Sequence, residues 1–146
     1  SLAMFFRKKI KGNLLKYYIP AQISGCLLGV MFANVFFEHS LLELSTKNRD
    51  GLHIFVSEIV ATFGLIFIIF ATLKDGKTIV AISVATYISA GYWFTSSTSF
   101  ANPAVSLART FTDSFTGINY LNTPTYILAE FIGLILAAYI LRIIYK

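Results

Sequence analysis

The sequence predicts an all-α membrane protein, and three observations carry that expectation. Hydrophobic residues make up 56% of the chain and charged residues only 13%, with a mean hydropathy of +0.71, far from a soluble domain of this length. The apolar residues are gathered into uncharged runs long enough to cross a bilayer as helices. Inside one such run, Thr78 to Ala108, stands Asn102-Pro103-Ala104, where asparagine is a favoured N-cap and proline suits the first helical turn. A helix that starts at membrane depth must face water or a solute, because its positive dipole end and unbonded N–H groups are costly against hydrocarbon.

The elements follow in order. Ser1-Leu2-Ala3-Met4-Phe5-Phe6-Arg7 is no signal peptide, since its charges follow the apolar residues and no cleavage-like site occurs. Tyr17 to Phe37 carries no charge and forms the first span. Ile54 to Leu73 is the second, interrupted only by Glu58, and Thr78 to Phe94 is the third. Lys74-Asp75-Gly76-Lys77 joins these two as a tight polar hairpin. Asn102 to Thr112 is too short to cross and reads as a re-entrant half-helix, after which Pro124 to Leu141 supplies the fourth span. Glu38 to His53 is too short to build a core and reads as a linker across one face.

Charge orients these spans. Arg7, Lys8, Lys9, Lys11, Lys16, Lys74, Lys77, Arg142 and Lys146, nine of the 12 basic residues, fall on one side if the spans alternate. That side is cytoplasmic by the positive-inside rule. The net charge of +5 therefore reflects loop placement, and with no basic patch interleaved with exposed stacking aromatics it does not indicate nucleic acid. The single cysteine, Cys26, excludes an intrachain disulfide and is expected to face lipid or to be packed. His39 and His53 lack zinc-ligand spacing and read as solvated loop residues, so no metal site and no cofactor are expected. Tyr92-Trp93-Phe94 reads as an interfacial aromatic belt.

The chain also repeats itself. Ser1-Leu2-Ala3-Met4-Phe5-Phe6 matches Ser106-Leu107-Ala108-Arg109-Thr110-Phe111 at four of six positions, and Tyr18 to Gly25 aligns with Tyr126 to Gly133. The charge pattern puts the two copies on opposite sides of the membrane, which makes them inverted repeats. Residues 1–37 are then the end of a first repeat and 54–146 a second repeat, within a single membrane domain over 1–146. Ser106 follows Asn-Pro-Ala-Val directly, whereas Ser1 has no such motif before it. The expectation is a truncated chain whose upstream residues read Asn-Pro-Ala-Val, preceded by two further spans. Ala21, Gly25, Gly29 and Ala33 on the first span, and Ala129, Gly133 and Ala137 on the last, have the small-residue spacing that lets helices approach closely.

Ser99-Phe100-Ala101-Asn102-Pro103-Ala104-Val105, the inverted repeat and Thr112-Asp113 together resemble the second half of a channel of the aquaporin, or major intrinsic protein, family. The resemblance covers essentially the whole chain. It implies an aquaporin-like inverted-repeat helical bundle with re-entrant half-helices, from which the N-terminal two spans are missing. It further implies passive passage of water or small uncharged solutes such as glycerol, with Asn102, Pro103 and Ala104 as the pore motif. Lipid and small neutral solutes would be the partners, in a homotetramer of the plasma (inner) membrane.

Family members often carry arginine after the motif's alanine, where this chain has Val105. Arg109, one turn later, can substitute in part, but Asp113 at i+4 is positioned to pair with it and the pair is the favoured reading. The remaining constriction positions map onto Ala90 and Ser99, both small, so Ala90, Ser99, Val105 and Arg109 are the constriction candidates. Glu58 is a carboxylate inside a span and needs a partner. A proton relay is one use for it; the resemblance implies instead a buried scaffold accepting hydrogen bonds from the pore-loop backbone. Glu130, near the start of the last span, reads as structural.

Neutral metalloid hydroxides are an alternative solute class. An inverted-repeat secondary transporter is a further alternative, weakened by the lack of midplane ionisable residues other than Glu58. No nucleophile and base stand at spacing that indicates an enzyme.

Overall fold

A computed structural model describes residues 1–144, and all its regular structure is helical. Lys146, one of the nine basic residues assigned to one side above, lies outside the described residues. The helices are α1 (Leu2–Phe6), α2 (Leu15–Phe36), α3 (Leu52–Thr72), α4 (Lys77–Phe94), α5 (Pro103–Ala108) and α6 (Thr123–Ile144). Short 3-10 turns at Gly12–Leu14, Leu73–Asp75 and Arg109–Phe111 adjoin them.

Three segments, Gly12–Phe36, Leu52–Asp75 and Thr123–Ile144, are long and apolar enough to cross a membrane. The third span predicted from the sequence, Thr78 to Phe94, falls short of that standard. α4 forms where it is expected, but Thr78, Ser83, Thr86, Tyr87 and Ser89 dilute its apolar content. Its 18 residues rise about 27 Å against a hydrocarbon core of about 30 Å. Leu28, Phe32, Ile82, Ile135 and Tyr139 point outward, an exposure that lipid tolerates and water does not. Trp93 is 91% exposed, beside the exposed Tyr92 and Phe94.

The chain divides into two compact units, Ser1–Asp50 with Asn102–Ile127, and Gly51–Ala101 with the chain from Leu128. In the first unit, α2 ends in a left-handed turn at Glu38 (φ +59°), with the N–H of Glu38 on Val35 O and that of His39 on Asn34 O. This is a Schellman closure with a glutamate where glycine is usual. It releases the 39–50 linker, which is not a free crossing loop. Glu43 N–H donates to Phe111 O (3.4 Å), Ser45 N–H to Thr110 O (2.9 Å), and Asn119 N–H to Lys47 O (2.8 Å). Arg49 then donates from Nε to Gly117 O and from Nη2 to Phe115 O. The linker is a strap laced to the segment that follows α5, and the lacing satisfies backbone groups that neither segment bonds internally.

In the second unit, Gly76 (φ +100°) makes the predicted hairpin between α3 and α4, a backbone conformation that side-chain-bearing residues avoid. Thr72 and Ser89 return their hydroxyls to the i−4 carbonyls Ile68 O and Ala85 O, which keeps polar groups satisfied inside apolar helices. α6 packs closely on α3 at Gly133, where a Cβ would come within 2.6 Å of Ile59 O. Ala129 and Ala137, on the same face, are fully buried. The close approach predicted for both small-residue faces therefore holds for α6. It does not hold for α2 among the described residues: a Cβ at Gly25 or Gly29 meets nothing within 4 Å.

Candidate functional site

Asn102 is extended (φ −159°, ψ 118°), and its Oδ1 accepts the N–H of Ala104 at 3.1 Å. Its carbonyl accepts Val105 N–H (2.9 Å) and Ser106 N–H (3.0 Å). Pro103, at the first helical position, has no N–H to satisfy. The helix start predicted from the sequence is present, but its tip is not rich in unbonded amides, because the Asn-Pro pair consumes the donors of the first turn. What the tip offers a neighbour is the oriented Asn102 amide and the local dipole.

The residues that lead into this cap are held by α3. Thr98 (φ +64°), Ser99 (φ +51°) and Ala101 (φ +51°) all adopt left-handed backbone, which costs free energy in residues other than glycine. Glu58, fully buried, accepts Phe100 N–H at 3.3 Å on one carboxylate oxygen and Ala101 N–H on the other. Ser57 Oγ accepts a further bond, from Ser96 N–H (2.9 Å). A carboxylate accepting two backbone donors is stable where an unpartnered one would not be. Ser99 lies buried against α4, where a Cβ on Gly91 would be 2.7 Å from it, while Ala90 is exposed on α4. Glu130 is also buried, in α6.

The first unit holds an open cavity of about 250 Å³. Val105, Ala108 and Arg109 line it at i, i+3 and i+4 along one face of α5 and its continuation. α2 opposes them with Cys26, Gly29, Val30 and Ala33, and Thr112, Ser114 and Thr116 complete the wall. Val105 and Arg109, two of the constriction candidates, thus share one cavity, whereas Ala90 and Ser99 belong to the other unit. Cys26 neither faces lipid alone nor packs in a core. It is half-buried on the cavity wall.

The expected pair of Arg109 with Asp113 does not form. α5 gives way to a 3-10 turn at Arg109–Phe111 and to extended backbone at Thr112 (φ −146°, ψ 131°), so i and i+4 no longer share a helical face. Asp113 turns to the strap, where it accepts Thr46 N–H at 2.8 Å and the Thr46 hydroxyl at 3.0 Å. The Thr46 N–H, aided by that hydroxyl and by Lys47 and Ser45, holds the Asp113 carboxyl below its ordinary value against a smaller opposing effect of desolvation. His39 is not simply solvated either, since its Nδ1 lies 2.6 Å from Glu43 Oε1, the oxygen that also accepts Asp113 N–H. Among the described residues no group of His, Cys, Asp and Glu is arranged to hold a metal.

Comparison with curated proteins finds the aquaglyceroporin AqpS of Rhizobium meliloti (strain 1021), 42% identical over 125 residues, which are 86% of this chain and 54% of that protein. The chain belongs to the aquaporin family. It is an integral, multi-pass, all-helical membrane protein. This aquaporin-family chain spans about half the length of the curated relative it matches. No protein-family model and no solved structure matches it.

One positioning residue of this aquaporin chain escaped the sequence reading. Asn34, buried near the end of α2, donates from Nδ2 to Leu41 O (3.3 Å) and Phe111 O (3.1 Å), tying α2, the strap and the turn after α5 together. A lone amide late in the apolar run Tyr17–Phe37 was the available signal. Thr112, Ser114 and Thr116 also escaped the sequence reading; they line the pocket from the turn that follows Thr112, where Gly117 N–H closes on Ser114 O at 3.0 Å.

Proposed function

We propose that the protein is a passive channel for water and small uncharged solutes such as glycerol, working without covalent chemistry or a cofactor. The observation that carries this reading is the broken helix α5, capped by Asn102, whose Val105–Ala108–Arg109 face borders a cavity in a chain otherwise built of apolar helices. A cavity edged by one guanidinium and by hydroxyls accepts neutral hydrogen-bonding solutes, and the positive charge of Arg109 together with the helix start opposes cations. The similarity to an aquaglyceroporin supports the same solute class.

In this reading Asn102, Pro103 and Ala104 are the pore motif, Ala90, Ser99, Val105 and Arg109 the constriction, and Glu58 the scaffold of the loop before the cap. Residues 1–37 end a first repeat and 54–146 form an inverted second one, in a single membrane domain. The basic loops face the cytoplasm, and the assembly is a homotetramer surrounded by plasma-membrane lipid.

The test is stopped-flow swelling of vesicles holding the protein expressed from its complete reading frame. Water and glycerol permeabilities above those of protein-free vesicles, independent of proton or sodium gradients, are expected. Fluxes equal to protein-free vesicles, or dependent on such a gradient, would overturn the channel reading.

A further inference from the structure

The surplus charge of the chain is confined to one stretch. Residues 1–37 contain no Asp or Glu, and Arg7, Lys8, Lys9, Lys11 and Lys16 stand within ten consecutive positions. The other seven Lys and Arg residues are matched in number by the seven Asp and Glu residues, so these five account for the whole net charge of +5. Lys74 and Lys77, by contrast, share their hairpin with Asp75. Like charges this close repel one another, and no carboxylate in the same stretch relieves them.

The stretch is folded, and it abuts a span. α1 closes in a Schellman pattern, with Lys8 N–H on Phe5 O (2.8 Å), Lys9 N–H on Met4 O (2.8 Å), and Lys8 at φ +54° where glycine is usual. The chain then returns to α1, so that a Cβ on Gly12 would lie 3.1 Å from Phe5 Cε2. Leu14 N–H on Lys11 O (3.0 Å) closes the 3-10 turn Gly12–Leu14, where the membrane-capable segment Gly12–Phe36 begins. Lys8, Lys9, Lys11 and Lys16 are all exposed. So are the rings of Phe6, Tyr17 and Tyr18, and Lys16 Nζ lies 5.1 Å from the centre of the Tyr17 ring.

We propose that this stretch is a docking surface for anionic phospholipid headgroups of the leaflet in which α2 begins, distinct from the bulk lipid around the spans. Lipid phosphates lie among the lysine ammonium groups, while Phe6, Tyr17 and Tyr18 rest at headgroup depth, the level that aromatic side chains favour. A lipid fits this surface better than a soluble anion does. The cations stand at the entry of a span, so the headgroup layer is already in reach and supplies phosphate at high local density. The proposal rests on α2 crossing the membrane and is independent of which solutes the protein passes.

The test uses the protein expressed from its complete reading frame, in phosphatidylcholine vesicles, with spin-labelled phosphatidylglycerol or spin-labelled phosphatidylcholine as the probe. The motionally restricted fraction of each label gives its relative association with the protein. Phosphatidylglycerol is expected to associate about threefold more strongly than phosphatidylcholine, and Lys8→Gln with Lys9→Gln and Lys11→Gln to bring that preference below about 1.5-fold. The same three positions changed to arginine keep the preference, and Lys74→Gln with Lys77→Gln leaves it nearly unchanged. Raising NaCl from about 0.1 M to about 1 M, which shortens the screening length from about 10 Å to about 3 Å, should remove most of it. Inorganic phosphate added at matched ionic strength should not. Should the glutamine variant not fold, as judged by size-exclusion in detergent, the salt series on the unsubstituted protein carries the comparison. No preference in the unsubstituted protein, a preference that survives the glutamine changes or high salt, or an equal loss in the Lys74 and Lys77 variant would overturn the docking surface. Displacement by inorganic phosphate would overturn it in favour of a soluble-anion site.

Discussion

The Glu58 carboxylate in α3 accepts the backbone N–H of Ala101, the residue immediately before the Asn102 cap. Its second oxygen accepts Phe100 N–H at 3.3 Å, so one side chain holds a loop that runs through left-handed backbone at Ser99 and Ala101. The loop cannot relax without exposing two buried donors.

Replacing that carboxylate tests how much of the loop depends on it. Glu58→Ala leaves both N–H groups without their acceptor and is expected to lower stability by roughly 3–5 kcal/mol. Glu58→Gln keeps one acceptor and turns an NH₂ toward the other donor, for a smaller loss of about 1–3 kcal/mol. Thermal unfolding in detergent reads both; an alanine variant that melts with the unsubstituted protein contradicts the scaffold role.

Gly91 and Ser99 are coupled by contact. A methyl at position 91 would come within 2.7 Å of Ser99 Cβ and Oγ, so Gly91→Ala is expected to cost about 1–3 kcal/mol through overpacking. Ser99→Gly removes both atoms and suits the φ of +51° at that position. Adding it to Gly91→Ala should restore most of the loss, and a double-mutant cycle in thermal unfolding measures the coupling. Additive losses would show that the two residues do not touch.

Val105 borders the cavity one turn from Arg109. Arginine there brings a second guanidinium and a longer side chain into about 250 Å³. Val105→Arg is expected to reduce glycerol permeability about tenfold or more while water flux falls far less. Equal glycerol flux in the variant would remove Val105 from the constriction.

Acid should loosen the strap at Asp113. Its folded carboxyl is held below the ordinary value, chiefly by Thr46 N–H, so its contribution is complete above the unfolded value and is lost as pH falls through the depressed one. Hydrogen-exchange protection of the Thr46 amide, corrected for intrinsic rates, is expected to hold from neutrality down to about pH 4 and to fall below it. Asp113→Asn should make that protection independent of pH, whereas a variant that keeps the acid-dependent loss would assign it to another group.

Much of the architecture was legible in the chain itself. The long helices follow from long, mainly apolar runs, the hairpin from Lys74-Asp75-Gly76-Lys77, and the helix start from Asn102-Pro103, where Oδ1 needs to reach only two residues ahead. Each of these is a local decision, made by φ preferences and hydrogen bonds within a few residues. The early end of α5 was harder to read, since Arg109-Thr110-Phe111 has no glycine or proline to announce a 3-10 turn. That turn separated Arg109 from Asp113 and handed the carboxylate to Thr46.

The tertiary structure decided what no local rule could. Asn34 meets Phe111 across 77 residues, and Asp113 meets Thr46 across 67. A Cβ at Gly133 would come within 2.6 Å of Ile59 O, while one at Gly25, in a matching sequence context, would meet nothing within 4 Å. Backbone preferences act over one or two turns and are written residue by residue, whereas such pairings depend on which distant segments arrive together once apolar faces are buried and stranded polar groups find partners. The sequence therefore determined where helices form and where one breaks, and only the packed chain determined which side chains line the space beside the break.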